Sequence, residues 1–158
     1  GFALAVLGVT RATMDVDFLV HRDDLEHLHE ALTTLGYQRF ARTENVSHYR
    51  HPEASWGSVD FIHAFRKPGL AVLERAKPHP IFKGAQQIRV AEPEDVIGFK
   101  VQAVANNPLR RAKELVDIEA LMEVSGARLD WERIQEYFDL FEMSEEGSAL
   151  KERFGHAE

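Results

Sequence analysis

The sequence predicts a single α/β domain of the α+β kind: a small mixed sheet flanked by helices, followed by a helical C-terminal part. Three observations carry this. The chain has 158 residues, 44% of them apolar, which is enough for one core. Period-two runs that suit strands fall mostly between residues 14 and 65, while helical stripes dominate after residue 93. No apolar run approaches the roughly 18 residues of a membrane span, and 28% charged residues among a solid apolar fraction exclude a disordered chain.

Each element has a local reason. The apolar run Phe2 to Leu7, stopped by Gly8, reads as a short helix, and Val9 to Thr13 as a loop. From Met14 to Val20 the pattern alternates, so Met14, Val16, Phe18 and Val20 face one way while Asp15, Asp17 and Leu19 face the other. Asp23 and Glu26 have capping-box spacing ahead of Leu25, Leu28, Leu32 and Leu35, a helix that ends at Gly36. Tyr37 to Thr43, Ser47 to His51 and Ser58 to Phe65 read as three strands joined by hairpin-length gaps, the most apolar of them, the last, being central. Pro68 to Lys77 is a helix with Leu70, Leu73 and Ala76 on one side, and Gln86 to Val90 an edge strand. Pro93 opens a helix over Asp95 to Ala105. Another runs from Pro108 to Val124 with Leu115, Ile118, Leu121 and Met122 as its stripe, ended by Ser125 and Gly126. Asp130 caps a last helix, Trp131 to Phe141, and beyond Met143 the chain is polar, acidic and expected to fray.

Charge is unevenly spread. The net −7 comes from 26 acidic against 19 basic residues, and taken whole it argues against nucleic-acid binding. Residues 130–158 hold nine acids against three bases, so residues 1–129 carry only −1. Within them, residues 61–91 hold six bases against Glu74 alone, a local +5 that offers phosphate or RNA a positive approach or is simply a solvated face. The absence of cysteine removes disulfides, zinc-thiolate sites and cysteine nucleophiles, and agrees with a cytoplasmic location. The chain opens at Gly1 with neither methionine nor a leader, which leads us to expect a missing N-terminal strand.

Chemistry concentrates in three aspartates. Asp15 and Asp17, two apart on a strand, leave the same face about 6.5 to 7 Å apart at the backbone. Asp60 lies in Ser58-Val59-Asp60-Phe61-Ile62, opposite in facing to Val59 and Phe61. If that strand neighbours the first, three carboxylates converge, and each like-charged pair at about 4 Å costs about 4 kcal/mol at an effective dielectric near 20. A cation relieves this, and oxygen-only ligation favours Mg²⁺ or Mn²⁺. A bare Asp-x-Asp is otherwise an ordinary solvent-facing pair.

The order of these residues is what makes them distinctive. Gly1, thirteen intervening residues, Asp15-Val16-Asp17-Phe18, then a separate apolar-flanked Asp60 resembles the DNA polymerase β-type nucleotidyltransferase superfamily. Within it, Gly1 to Asp17 is similar to the opening of the AbiEii/AbiGii-type nucleotidyltransferases, many of which are toxins of bacterial toxin-antitoxin modules; the likeness returns at residues 95–103 and 110–118. The resemblance implies a catalytic core over residues 1–92, with residues 93–158 packed on it as the helical part of the same domain. It also implies transfer of a nucleoside monophosphate from an NTP to a hydroxyl acceptor, be it protein, tRNA or small molecule, with an antitoxin as a further partner. Asp15 and Asp17 would then hold the metal of the triphosphate, and Asp60 would complete the site and help deprotonate the attacking hydroxyl. Gly1 would be the second glycine of a phosphate-cradling turn, with Arg11 and Thr13 beside it. Glu114 stands where an aspartate is commoner.

Lys100 stands out even without the resemblance. It shares a helical stripe with Val96 and Val104, so it needs a partner or a route to water, and a phosphate is one such partner. Asp117 belongs either to the site or to an ion pair with Lys113, and Arg111 and Lys113 read as a solvated face. The eight histidines fit no zinc spacing, His48 and His51 falling on opposite faces of their strand. Trp56 packs on the sheet or stacks on a base. Two other readings compete: a degenerate module that binds nucleotide, RNA or a partner protein without turnover, and a metal-dependent phosphohydrolase.

Overall fold

The computed structural model describes residues 2–9 and 15–155. Its contacts divide the chain into two compact units, Gly1–Phe2 with Arg11–Ala76 and Ala3–Thr10 with Lys77–Glu158. The Gln86 to Val90 run, expected as an edge strand of the sheet, therefore falls in the unit that holds the C-terminal helices.

The first unit is built on four strands, β1 (Asp15–His21), β2 (Gln38–Arg42), β3 (Val46–Arg50) and β4 (Ser58–Ala64), in the order β1-β4-β3-β2. β1 and β4 are parallel, while β2, β3 and β4 form an antiparallel meander. The apolar Ser58 to Phe65 run is thus an interior strand, as its composition requires. Helix α2 (Leu25–Thr34) covers one face of this sheet. Phe18, Val20, Val59 and Phe61 there meet Leu28 and Leu32 of the helix, with Tyr37 and Tyr49 completing the cluster. Phe18 stacks on Phe61 at 5.7 Å and Tyr49 meets Phe61 edge-on at 5.6 Å, the arrangements aromatic rings prefer. Period-two alternation sends Asp17, Asp60 and His48 to the opposite face. There α3 (Lys67–Arg75) packs on β1 and β4, and Gly69 lets the helix approach Ala64 closely.

The capping box expected at Asp23 does not form. A 3-10 turn, Arg22–Asp24, precedes α2, and the His21 ring takes over the capping, its Nδ1 accepting the Asp23 N–H at 3.2 Å. At its other end α2 closes in a Schellman motif: Gly36 has φ +90°, Tyr37 N–H donates to Leu32 O and Gly36 N–H to Thr33 O.

The second unit holds β5 (Lys77–Ile81) and β6 (Gln86–Val90) as an isolated antiparallel pair, together with α4 (Pro93–Asn106), α5 (Arg111–Ser125), α6 (Trp131–Leu140) and α7 (Ser144–Phe154). The residues expected to form an edge strand of the sheet instead pair with a strand the sequence hides. Lys77–Ile81 contains Pro78 and Pro80, whose equal parity puts both missing N–H groups on one side. The core comprises Leu4 of α1 (Phe2–Val6), Ile97 and Val101 of α4, Ile118, Leu121 and Met122 of α5, Ile134 and Phe138 of α6 and Leu150 of α7. Beyond Met143 the chain does not fray. It forms α7, which buries Gly147 and Leu150 and is tied to α5 by Glu146 to Arg111 and Arg153 to Glu119. Among the described residues, no helix is long and apolar enough to cross a membrane.

Candidate active site

The parallel register pairs Asp17 of β1 with Asp60 of β4, and the antiparallel register pairs Asp60 with His48 of β3. These three residues form one row across neighbouring strands spaced about 4.8 Å apart. The next row towards the start of β1 is Asp15, Ser58 and Arg50. The sequence's guess that β1 and β4 are neighbours is therefore what the topology contains. Asp17 is exposed; the Asp60 side chain is 25% exposed and the His48 side chain 32%, so the row opens to solvent.

The histidine spacing argues against His48 as a zinc ligand, and the fold places it beside Asp60. Its Nδ1 lies 2.8 Å from Asp60 Oδ1. Its ring in turn lies 5.6 Å from that of Phe40, tilted by 36°. Phe40 sits where β2 shifts register between Arg39 and Ala41, and the guanidinium of Arg50 lies 4.7 Å over it. Pairing alone makes His48 recognisable, and pairing is not written in the local sequence.

The other predicted site residues are placed as follows. Gly1, Arg11 and Thr13 lie outside the described residues, as does the side chain of Asp15, whose backbone opens β1. Among the described residues no three histidine, aspartate or glutamate side chains converge on a metal-sized point. The donor set nonetheless suits Mg²⁺: two hard carboxylates stand in register, and Mg²⁺ typically takes one or two protein carboxylates together with substrate phosphates. Lys100 and Asp117 belong to the second unit. The Lys100 Nζ lies 2.9 Å from Glu114 Oε2 and 2.6 Å from Asp117 Oδ2, and the lysine is only 14% exposed. The partner this buried lysine requires is thus a pair of carboxylates on α5, and Asp117 reaches Lys100 from across the helix interface. Arg110 also binds Glu114, its Nη2 2.6 Å from Oε1. Burial on its own would raise the Glu114 carboxyl, but the hydrogen bonds and charges of Lys100 and Arg110 outweigh it and hold the group below the usual range.

The small mixed sheet of order β1-β4-β3-β2 with its helices α2 and α3 has a nucleotidyltransferase-type fold. The chain superposes with a TM-score of 0.62 on the solution structure of the antibiotic-resistance factor ANT(2'')-Ia, over 99% of this chain and 85% of that one, at 15% identity. No curated protein matches it. The chain belongs to a family described as uncharacterised nucleotidyltransferase, whose model matches residues 9–145. An NTP donor and a nucleophilic acceptor follow from that class. The superfamily suggested by the Asp15, Asp17 and Asp60 pattern is the one found; the family matched is not the AbiEii/AbiGii one.

Proposed function

We infer that this chain transfers a nucleoside monophosphate from an NTP to a hydroxyl acceptor, using Asp15, Asp17 and Asp60 with Mg²⁺ or Mn²⁺. The observation that carries the reading is the registered pairing of Asp17 with Asp60 on an open face of the sheet. A bound divalent ion would neutralise this carboxylate row and the triphosphate and polarise the α-phosphate. The chain's own residues do the rest. Asp15 and Asp17 would hold such an ion, and Asp60 receives the proton of the acceptor hydroxyl. The acceptor oxygen forms its bond to the α-phosphorus, the bond from that phosphorus to the bridging oxygen breaks, and pyrophosphate leaves with the electron pair. A toxin role with an antitoxin partner rests on the likeness of residues 1–17, 95–103 and 110–118 to AbiEii/AbiGii proteins alone.

The test uses the full-length protein, α-labelled NTPs, Mg²⁺ and a cell extract as the source of acceptors. Label should appear on a macromolecule or small acceptor with release of pyrophosphate, and Asp17→Ala and Asp60→Asn should each reduce it by at least about 100-fold, the scale of losing one transition-state charge contact. Nucleotide binding without any transfer would mark a binding module instead, and release of inorganic phosphate a hydrolase.

A further inference from the structure

On the carboxylate face of the sheet, arginine charge has one source among the described strand residues. β2 and β3 carry Arg39, Arg42 and Arg50 and no acid, while β1 and β4 carry neither arginine nor lysine. Arg42 is held by Glu26 of α2 at 3.0 Å, and Arg39 stands in register with Tyr49, whose ring belongs to the core under α2. Arg50 follows His48 by two residues on β3, so it shares the face of Asp17 and Asp60. It is exposed, and its guanidinium lies 4.7 Å over the ring of Phe40, itself 55% exposed and 5.6 Å from the His48 ring. Resting on the nucleotidyltransferase reading, we propose that Arg50 and Phe40 form the acceptor subsite, and that it takes a small hydroxyl compound bearing a carboxylate or phosphate group.

The placement follows from the strand order β1-β4-β3-β2. On that reading the triphosphate is held from Asp15 and Asp17 on β1, and the acceptor proton passes to Asp60 on β4. In-line displacement sets the attacking and leaving oxygens on opposite sides of the α-phosphorus. The body of the acceptor therefore extends away from β1, over β3 and β2, where Arg50 and Phe40 lie. The backbones of Asp60 and Arg50 are one strand and two residues apart, roughly 8 Å, so one small molecule spans a hydroxyl at the first and an anion at the second. An arginine positioned by an aromatic ring keeps its N–H donors for an anion, and its planar fork matches carboxylate and phosphate. A cationic acceptor meets like charge there. One arginine suffices for such a group, whereas a polynucleotide backbone draws on many cations.

The probes are a matched five-carbon series: 5-hydroxypentanoate, pentane-1,5-diol monophosphate, pentane-1,5-diol and 5-amino-1-pentanol. Each is titrated into the full-length protein and followed by NMR at the arginine Nε–H and phenylalanine ring resonances. The carboxylate and phosphate probes should shift Arg50 and Phe40 saturably, the stronger of the two naming the preferred anion, while the neutral and cationic probes should not. Arg50→Gln should abolish the Phe40 response. In the extract assay it should lower labelled product about 10- to 100-fold, the range for losing a charged hydrogen bond, with NTP affinity in Mg²⁺ unchanged. The absence of a shift at Arg50, equal shifts at Arg22, Arg39 and Arg50, or an equal response to the neutral or cationic probe overturns the proposal. So does undiminished transfer in Arg50→Gln, or a loss of NTP affinity to match the loss of transfer. Asp17→Ala tests the reading beneath it: if the wild type transfers no label, or that variant transfers it equally well, the nucleotidyltransferase site itself is wrong, whatever the titrations report at Arg50.

Discussion

Lys100 shows what single residues disclose. Its apolar stripe on α4 announces that a buried ammonium needs a partner, but Glu114 and Asp117 lie 14 and 17 residues further on, and nothing in the local sequence says which turn of α5 faces it. With Glu114 3% and Asp117 5% exposed, removing the lysine takes one of its two cations from Glu114, leaving Arg110, and the 2.6 Å ammonium contact from Asp117. Lys100→Met should therefore lower unfolding free energy by about 3 to 5 kcal/mol, the usual cost of breaking a buried pair from one side, as measured by urea denaturation at pH 7. A loss under about 1 kcal/mol would mean that the network is solvated. The pH dependence has a definite sign. The Glu114 carboxyl is held below its ordinary range in the folded state, so its contribution is present above the unfolded value, about 4.3, and is lost as pH falls through the depressed folded one. Stability should therefore drop on acidification below about pH 4.3, and less steeply in Lys100→Met.

At the scale of elements, most of the fold was legible because each helix has its own stripe and each strand its own alternation. β1, α2, β4, α4, α5 and α6 follow from the leucine, valine and aspartate spacing. The failures have physical causes. β5 hides behind Pro78 and Pro80, which read as loop although an isolated hairpin tolerates them on one edge. α7 hides behind Ser144, Glu145, Glu146 and Gly147, a polar opening with a helix breaker in it. Yet Gly147 is what lets α7 dock: a Cβ there would stand 2.8 Å from the Cβ of Phe138, which is fully buried and cannot move without its backbone. In an isolated helix Gly→Ala would gain about 1 kcal/mol. Here overpacking, which typically costs about 1 to 3 kcal/mol, should win or at least cancel the gain. Gly147→Ala is thus expected to be neutral to destabilising by up to about 2 kcal/mol in thermal or urea unfolding, from these two terms; a clear stabilisation would mean that α7 is not docked on Phe138.

For the whole molecule, charge bears on the acceptor. The +5 of residues 61–91 suggests a positive approach for RNA, but the fold divides it. The boundary between units falls at Ala76 and Lys77, and part of the charge is already matched: Lys77 meets Glu92 at 2.6 Å and Arg66 meets Glu44 at 3.9 Å. The first unit holds 8 basic against 10 acidic residues, a net −2, and the second 11 against 16, a net −5. Binding to a polynucleotide backbone draws on cationic side chains and the counterions they release, and non-specific affinity is already weak at physiological salt, with a Kd of about 10⁻⁴ to 10⁻⁶ M even for basic proteins. On the proposed reading a nucleotide needs much less, because a divalent ion held by Asp17 and Asp60 would supply the positive charge locally. The molecule should accordingly separate the two ligands. In about 150 mM salt with Mg²⁺, NTP at 100 times its Kd should stabilise the fold by about 2.7 kcal/mol and raise the thermal midpoint, whereas labelled tRNA at micromolar concentration should remain unbound in a gel-shift or anisotropy titration. Retention of tRNA under those conditions would require a cationic surface that neither unit's net charge provides, and would turn the search for the acceptor from small alcohols and proteins to RNA.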